Sequence, residues 1–215
     1  MIGLLGDVHG KFGDALKMMS GLPDVGLWLQ VGDFGGEGLE YPPDLPGNFH
    51  FIQGNHENWA ALRGMGEAPR GPFMRNGNIY EFDVGGAAIR VAALGGNFSP
   101  KWFGETRANV PGSRDRHYLR EEIEAITSDA KGADILLTHE APSPYPPDGK
   151  WSDRGKPEVS GLAALLRPRL HAFGHHHYYG VYDYGGVRTI GLGYGWSHAV
   201  LWDEGTGDFE WVGMP

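Results

Sequence analysis

Eight side chains able to ligate a metal or carry a proton stand just past the ends of short apolar runs. Asp7 and His9 follow MIGLL, inside Gly6-Asp7-Val8-His9-Gly10. Asp33 follows VGLWLQV, inside Gly32-Asp33-Phe34-Gly35-Gly36. Asn55 and His56 follow NFHFIQ, inside Gly54-Asn55-His56-Glu57. His139 closes ADILLT, and His175 and His177 follow Leu170-His171-Ala172-Phe173 in a Gly-His-His-His run. An Asp and a His two residues apart beyond a buried strand can aim at one point if the loop turns there, and a divalent cation accepts that pair. Each cluster alone has a plain reading as a turn residue, a cap or a satisfied buried histidine. Five of them at five strand ends are jointly improbable by chance.

Asp7, His9, Asp33, Asn55, His139, His175 and His177 are too many donors for one ion with open positions. They suit two ions that share a carboxylate, the arrangement that clamps the attacking and leaving oxygens of an in-line displacement at phosphorus. Mixed nitrogen and oxygen donors without sulfur favour Mn, Fe or Zn over Mg or Ca. His56, beside Asn55, is the natural general acid for the leaving oxygen.

These groups need a frame that brings strand ends together. Helical spacing of Phe12, Ala15, Leu16 and Met19 predicts a helix over 11–20, stopped by Gly21 and Pro23. Short helices are expected over 58–63 and 159–166, and a longer one over 116–131 with Leu119, Ile123 and Ile126 on one face. Residues 79–84 and 87–94, split by Gly85-Gly86, read as a hairpin. Further strands are expected around 178–184, 187–192, 198–202 and 208–212. Strand, polar cluster and helix recur in turn, which is α/β layering, and open α/β sheets gather ligands beyond the carboxyl ends of their strands. The 141–157 stretch reads as a surface or lid loop, and the chain as one domain over 1–215.

Composition narrows the partners. A net charge of −9 argues against a broad basic surface for duplex nucleic acid. It leaves room for a small phosphate-bearing ligand, because bound cations reverse the sign of a site locally. The absence of cysteine excludes disulfides and thiolate-held metals, and favours a cytoplasmic setting. No apolar run is long enough for a membrane span, and the N-terminus lacks the basic start of a signal peptide.

Taken in order, Asp-x-His, Gly-Asp, Gly-Asn-His-Glu, a lone strand-end His and Gly-His-x-His resemble the calcineurin-like metallophosphoesterase family over residues 6–177. The resemblance implies a four-layered α-β-β-α sandwich with two mixed β-sheets, the strands after 178 falling in the second. It implies two divalent or trivalent ions, Mn in assay with Fe or Zn as alternatives. Asp7, His9, Asp33 and His177 would hold one; Asp33, Asn55, His139 and His175 would hold the other. His56 would be the catalytic acid and Asp33 the bridging carboxylate. Water acidified between the ions would attack a phosphate ester and His56 would protonate the leaving group.

The sequence departs from the serine/threonine protein phosphatase branch, whose second motif continues Gly-Asp-x-x-Asp-Arg-Gly. Here Gly36 and Glu37 stand where that branch has the carboxylate orienting the catalytic His and the phosphate-gripping Arg. A phosphodiester, carrying one charge fewer than a monoester, is therefore the expected substrate, with Glu37 a candidate to orient His56. A shorter likeness, Gly54 through Asn78-Ile79-Tyr80 to Leu94-Gly95-Gly96-Asn97, is similar to RNA lariat debranching enzymes, which raises a nuclease as the alternative. A non-catalytic metal-holding interaction module on the same fold is the non-enzyme alternative.

Other positions take plainer expectations. His176 should point away from its two neighbours, by strand alternation. His50, His117, His171 and His198 read as packing or surface residues. Arg107, Arg114 and Arg116 with Phe98, Trp102 and Phe103 form either a phosphate- and base-contacting loop or one pinned by its own aromatics. Tyr145 and Trp151 share that ambiguity.

Overall fold

Five four-residue strands are buried at every position: β1 (Ile2–Leu5), β2 (Leu27–Gln30), β3 (Phe49–Ile52), β7 (Ile135–Thr138) and β8 (Leu170–Phe173). A strand buried on both faces needs a layer on each side of it. The computed structural model, which describes residues 1–145 and 155–213, supplies those layers. The other elements are α1 (Phe12–Ser20), α2 (Trp59–Gly64), β4 (Phe73–Met74), β5 (Asn78–Val84), β6 (Ala87–Leu94) and α3 (Arg120–Thr127). After β7 come α4 (Pro157–Leu166), β9 (Gly180–Tyr184), β10 (Val187–Gly191), β11 (His198–Trp202) and β12 (Phe209–Gly213).

They form two mixed six-stranded sheets, ordered β12-β11-β1-β2-β3-β4 and β5-β6-β7-β8-β10-β9. Alternate residues divide between three cores. Ile2, Leu4, Leu27 and Leu29 meet Val91, Ala93, Ile135, Leu137 and Ala172 between the sheets. Leu5, Trp28, Phe49 and Phe51 face outward onto Ala15 and Met18 of α1 and Leu62 of α2. Ala92, Leu94 and Leu136 face the other way, onto Ile126 of α3 and Val159 and Leu162 of α4. This is the expected α-β-β-α order. Gly3 is needed in β1 because a Cβ there would lie 2.3 Å from the Trp28 ring.

The expected helix over 116–131 shortens to α3. Residues 116–118 are taken by another partner: the Asn97 N–H donates to the Arg116 carbonyl at 2.8 Å and Asn97 bridges His117. The helix then starts where the Glu122 carboxylate accepts the Leu119 N–H at 2.9 Å. The late strands also divide differently from the expectation. β9 and β10 extend the second sheet, but β11 returns to the first, antiparallel to β1, and β12 pairs antiparallel with β11 at its edge. β4, only two residues long, carries too little pattern to be read from sequence.

Candidate metal centre

In the first sheet β1, β2 and β3 run parallel, and in the second β6, β7 and β8 do. Their carboxyl ends therefore deliver the five polar clusters to one edge of the sandwich. Each chain turns sharply there. Among the described residues five non-glycines have positive φ: His9 (49°), Asp33 (54°), Arg167 (48°), His175 (66°) and His177 (54°). Four of the five are candidate ligands; the fifth caps α4. Left-handed backbone at such residues costs on the order of 1–3 kcal/mol each and persists where the surroundings enforce it. Packing enforces it at Asp33, because the next residue, Phe34, is fully buried with its ring 4.9–5.0 Å from those of Phe12, Phe49 and Phe51.

The side chains converge. Asp7 is fully buried, and its Oδ2 lies 3.0 Å from His177 Nε2, which lies 3.0 Å from His9 Nε2. Asp33 Oδ2 sits between His9 Nδ1 at 3.9 Å and His139 Nε2 at 3.6 Å. His139 Nε2 is also 3.0 Å from Asn55 Oδ1, and the His175 ring packs 5.0 Å from that of His139. His139 Nδ1 lies 2.9 Å from the Val31 carbonyl. A carbonyl only accepts, so Nδ1 carries its proton and Nε2 faces the cluster, the usual outer-shell arrangement of a ligating histidine.

The electrostatics call for cations. Asp7 and Asp33 are buried carboxylates whose ion-pair partners, among the described residues, are histidines alone. Buried charge without compensation is costly. Burial alone would lower the His139 pKa, but the Asp33 and Asp7 carboxylates outweigh it and raise the value. At the half-buried His9, desolvation dominates and the pKa falls. Two overlapping sets have ligand atoms within 4.8 Å of one another: Asp7, His9 and His177, and Asp7, Asp33 and His139. Donors held about 2.1 Å from an ion at right angles stand about 3.0 Å apart, the separation seen from His177 to both Asp7 and His9, with Asp7 and His9 3.8 Å from each other. The donor set fits divalent ions.

A family model of calcineurin-like phosphoesterases matches residues 1–179. The chain belongs to the calcineurin-like phosphoesterase family. Membership supports metal-dependent hydrolysis of phosphate esters. This phosphoesterase superposes on TT1561 of Thermus thermophilus with a TM-score of 0.70 at 16% identity, covering 100% of this chain and 98% of that one. A putative 5′-nucleotidase from Staphylococcus aureus superposes with a TM-score of 0.58 at 14% identity, covering 99% of this chain and 54% of that one. At these identities the likeness establishes the fold. No curated protein sequence matches the chain.

Not every expected residue of the phosphoesterase takes its expected place. His56 is exposed at the mouth, its backbone N–H donating to Asp33 Oδ1 at 2.7 Å and its ring 6.1 Å from that of His9. Glu37 is exposed, and among the described residues no hydrogen bond or ion pair joins it to His56. His176 turns away to the Tyr145 ring, at 4.6 Å. Arg107 is engaged internally, by Glu122 at 2.6 Å and the His117 carbonyl at 2.8 Å, while Phe98 and Phe103 pack onto the α3–α4 core. That loop is pinned by its own side chains. Tyr145 is buried beside Phe173 and Tyr182; Trp151 lies outside the described residues.

Three supporting groups escaped the sequence reading. Glu57 is buried, and its carboxylate accepts the N–H groups of Phe34, Gly35 and Gly54 at 3.0–3.1 Å and the Tyr41 hydroxyl at 2.5 Å. It ties the Asp33 loop to the Asn55–His56 loop. Burial and the nearby Asp33 charge push its pKa up to about 7. Gln30 joins Gly6 to Gly32 through its amide, which donates to both carbonyls and accepts the Gly32 N–H. A polar residue in a strand otherwise wholly apolar was the available signal. Tyr194 packs its ring 4.4 Å from that of His177, and its glycine neighbours were the only hint.

Proposed function

We propose that the chain is a binuclear metal-dependent phosphoesterase that prefers phosphodiesters. The observation that carries this reading is the convergence of Asp7, His9, Asp33, His139 and His177, two of them buried carboxylates that no lysine or arginine among the described residues neutralises. Asp7, His9, Asp33 and His177 would hold one ion, and Asp33, Asn55, His139 and His175 the other. Bound there, the ions supply an acidified water and neutralise charge on the phosphoryl group.

The chain's own groups do the rest. Asp7 is held by the His175 N–H, which donates to its carboxylate at 3.0 Å. Asp33 is oriented by the His56 N–H, so one carboxylate links the metal cluster to the general acid. A protonated ring nitrogen of His56, facing solvent at the mouth, gives its proton to the leaving oxygen. The diester preference rests on Glu37, an exposed acid where the protein phosphatase branch carries its phosphate-gripping Arg, and on the acidic character of the site.

The test is hydrolysis of an aryl phosphodiester with Mn²⁺, beside the matched monoester. Wild type should favour the diester in kcat/KM. His56→Ala should lower kcat by about 10²–10⁴ while retaining bound metal. Asp33→Ala should lose both metal and turnover. Undiminished turnover in both variants would sink the assignment.

A further inference from the structure

One cation stands beside this centre with no acidic partner among the described residues. Lys11 follows His9-Gly10, and its Nζ sits 3.4 Å over the centre of the Trp196 ring. Trp196 packs tilted at 5.2 Å from Tyr194, which stacks 4.4 Å from His177 and meets His9 at 6.2 Å. A ladder of rings thus runs from two candidate ligands to one ammonium group. The ledge is fixed in place. The Gly195 N–H donates to the Asp7 carbonyl at 2.9 Å, and a Cβ on Gly6 would meet the Gly193 carbonyl oxygen at 1.8 Å. The ammonium is not fixed, being exposed on a flexible four-carbon stem.

Lys11 is also in a poor place for stability. It occupies the N-cap of α1 and makes no side-chain capping bond. Serine, threonine and acidic residues suit that position, whereas a cation there opposes the helix dipole. A residue that breaks a local rule beside an active centre is where function is expected.

We propose that Lys11 is the phosphate-gripping residue of this enzyme, swinging from Trp196 to a non-bridging oxygen of the bound phosphoryl group. It supplies from the first loop the positive charge that Glu37 does not supply from the second. A single ammonium matches the single charge of a diester. The inference rests on the phosphoesterase reading above and deepens it.

The test uses the metal-loaded protein and two readouts. Lys11→Met should raise KM for an aryl phosphodiester about ten- to a hundredfold with little change in kcat, the range of a charge-assisted hydrogen bond lost from bound substrate. Lys11→Arg should stay within a few fold of wild type. Lys11→Ser should show the same KM defect with an unchanged or raised Tm, because serine caps α1. Separately, inorganic phosphate titrated into wild type should change the tryptophan emission as the ammonium leaves Trp196. Lys11→Met and Trp196→Phe should each abolish that change. A Lys11→Met KM within twofold of wild type, or a phosphate response that survives in that variant, overturns the proposal. If wild type hydrolyses no ester, the phosphoesterase reading fails, and the phosphate titration still decides the role of Lys11.

Discussion

His171 sits fully buried on β8 with its Nε2 2.8 Å from the Thr138 hydroxyl oxygen. That hydroxyl spends its one proton on the Glu140 carbonyl at 2.7 Å. Nε2 must therefore donate, leaving Nδ1 an acceptor with no partner among the described residues. A second proton would put an unpaired charge in the core, and burial pushes the pKa down from 6.5 to about 3. His50, packed on Phe82, is pushed down by burial to about 4, its bond to the Gly71 carbonyl acting the other way. An unfolded histidine takes its proton near pH 6.5; these two do not take it while folded. The unfolded state thus binds more protons, and the stability present above pH 6.5 is lost as pH falls toward 4 and 3. Between pH 7 and 5 the loss is about 2 kcal/mol for each ring. Together that is about 4 kcal/mol, a large part of a typical stability of about 5–15 kcal/mol. His171→Leu removes one of the two titrations. Urea unfolding at pH 7 and pH 5, in chelator throughout, should show the variant losing about 2 kcal/mol less than wild type between the two pH values. Taking the difference cancels both the fixed cost of the substitution and the carboxylate background. Equal losses in the two proteins would refute the linkage.

Glu57→Gln turns an acceptor-only carboxylate into an amide whose NH₂ must face a backbone N–H, which should cost about 1–3 kcal/mol by urea unfolding and lower kcat as the Asp33 and Asn55–His56 loops part. Gly54→Ala places a Cβ 2.0 Å from Asp33 Oδ1, and should weaken metal retention, measured by elemental analysis after dialysis, far more than it disturbs far-ultraviolet circular dichroism. Metal at about a hundred times its Kd should stabilise the stripped protein by about 2.7 kcal/mol and raise Tm by about 5–10 °C, because it neutralises Asp7 and Asp33. An unchanged Tm would contradict the charge argument.

What sequence pattern conveyed was the set of donors and the edge on which they lie. Each donor follows a strand that is apolar at nearly every position, so strand ends are visible, and parallel strands carry their ends to one side. What it did not convey depends on contacts between distant segments. Glu57 matters because Phe34, Gly35 and Gly54 all point N–H groups at it, and no local period records that. Residues 116–118 have helical spacing, yet pair with Asn97 instead, a choice made by the loop lying across them. The strands after β10 are rich in apolar and aromatic residues, HAVLW in β11 and FEWVG in β12, which says that they are strands but not which sheet they join.

The left-handed turns at His9, Asp33, His175 and His177 belong between these two cases. Glycine is the residue such backbone favours, and glycine stands directly beside His9, Asp33 and His175 and three residues from His177. Using glycine at the positions themselves would relieve the strain and delete the ligands. Stability and the proposed ligation thus compete for the same positions, and candidate ligands occupy them. Lys11 at the α1 cap is the same competition one turn further on. Lys11→Ser should then lose phosphate affinity with an unchanged or raised Tm, whereas Asp33→Gly should lose the metal whatever it does for the backbone.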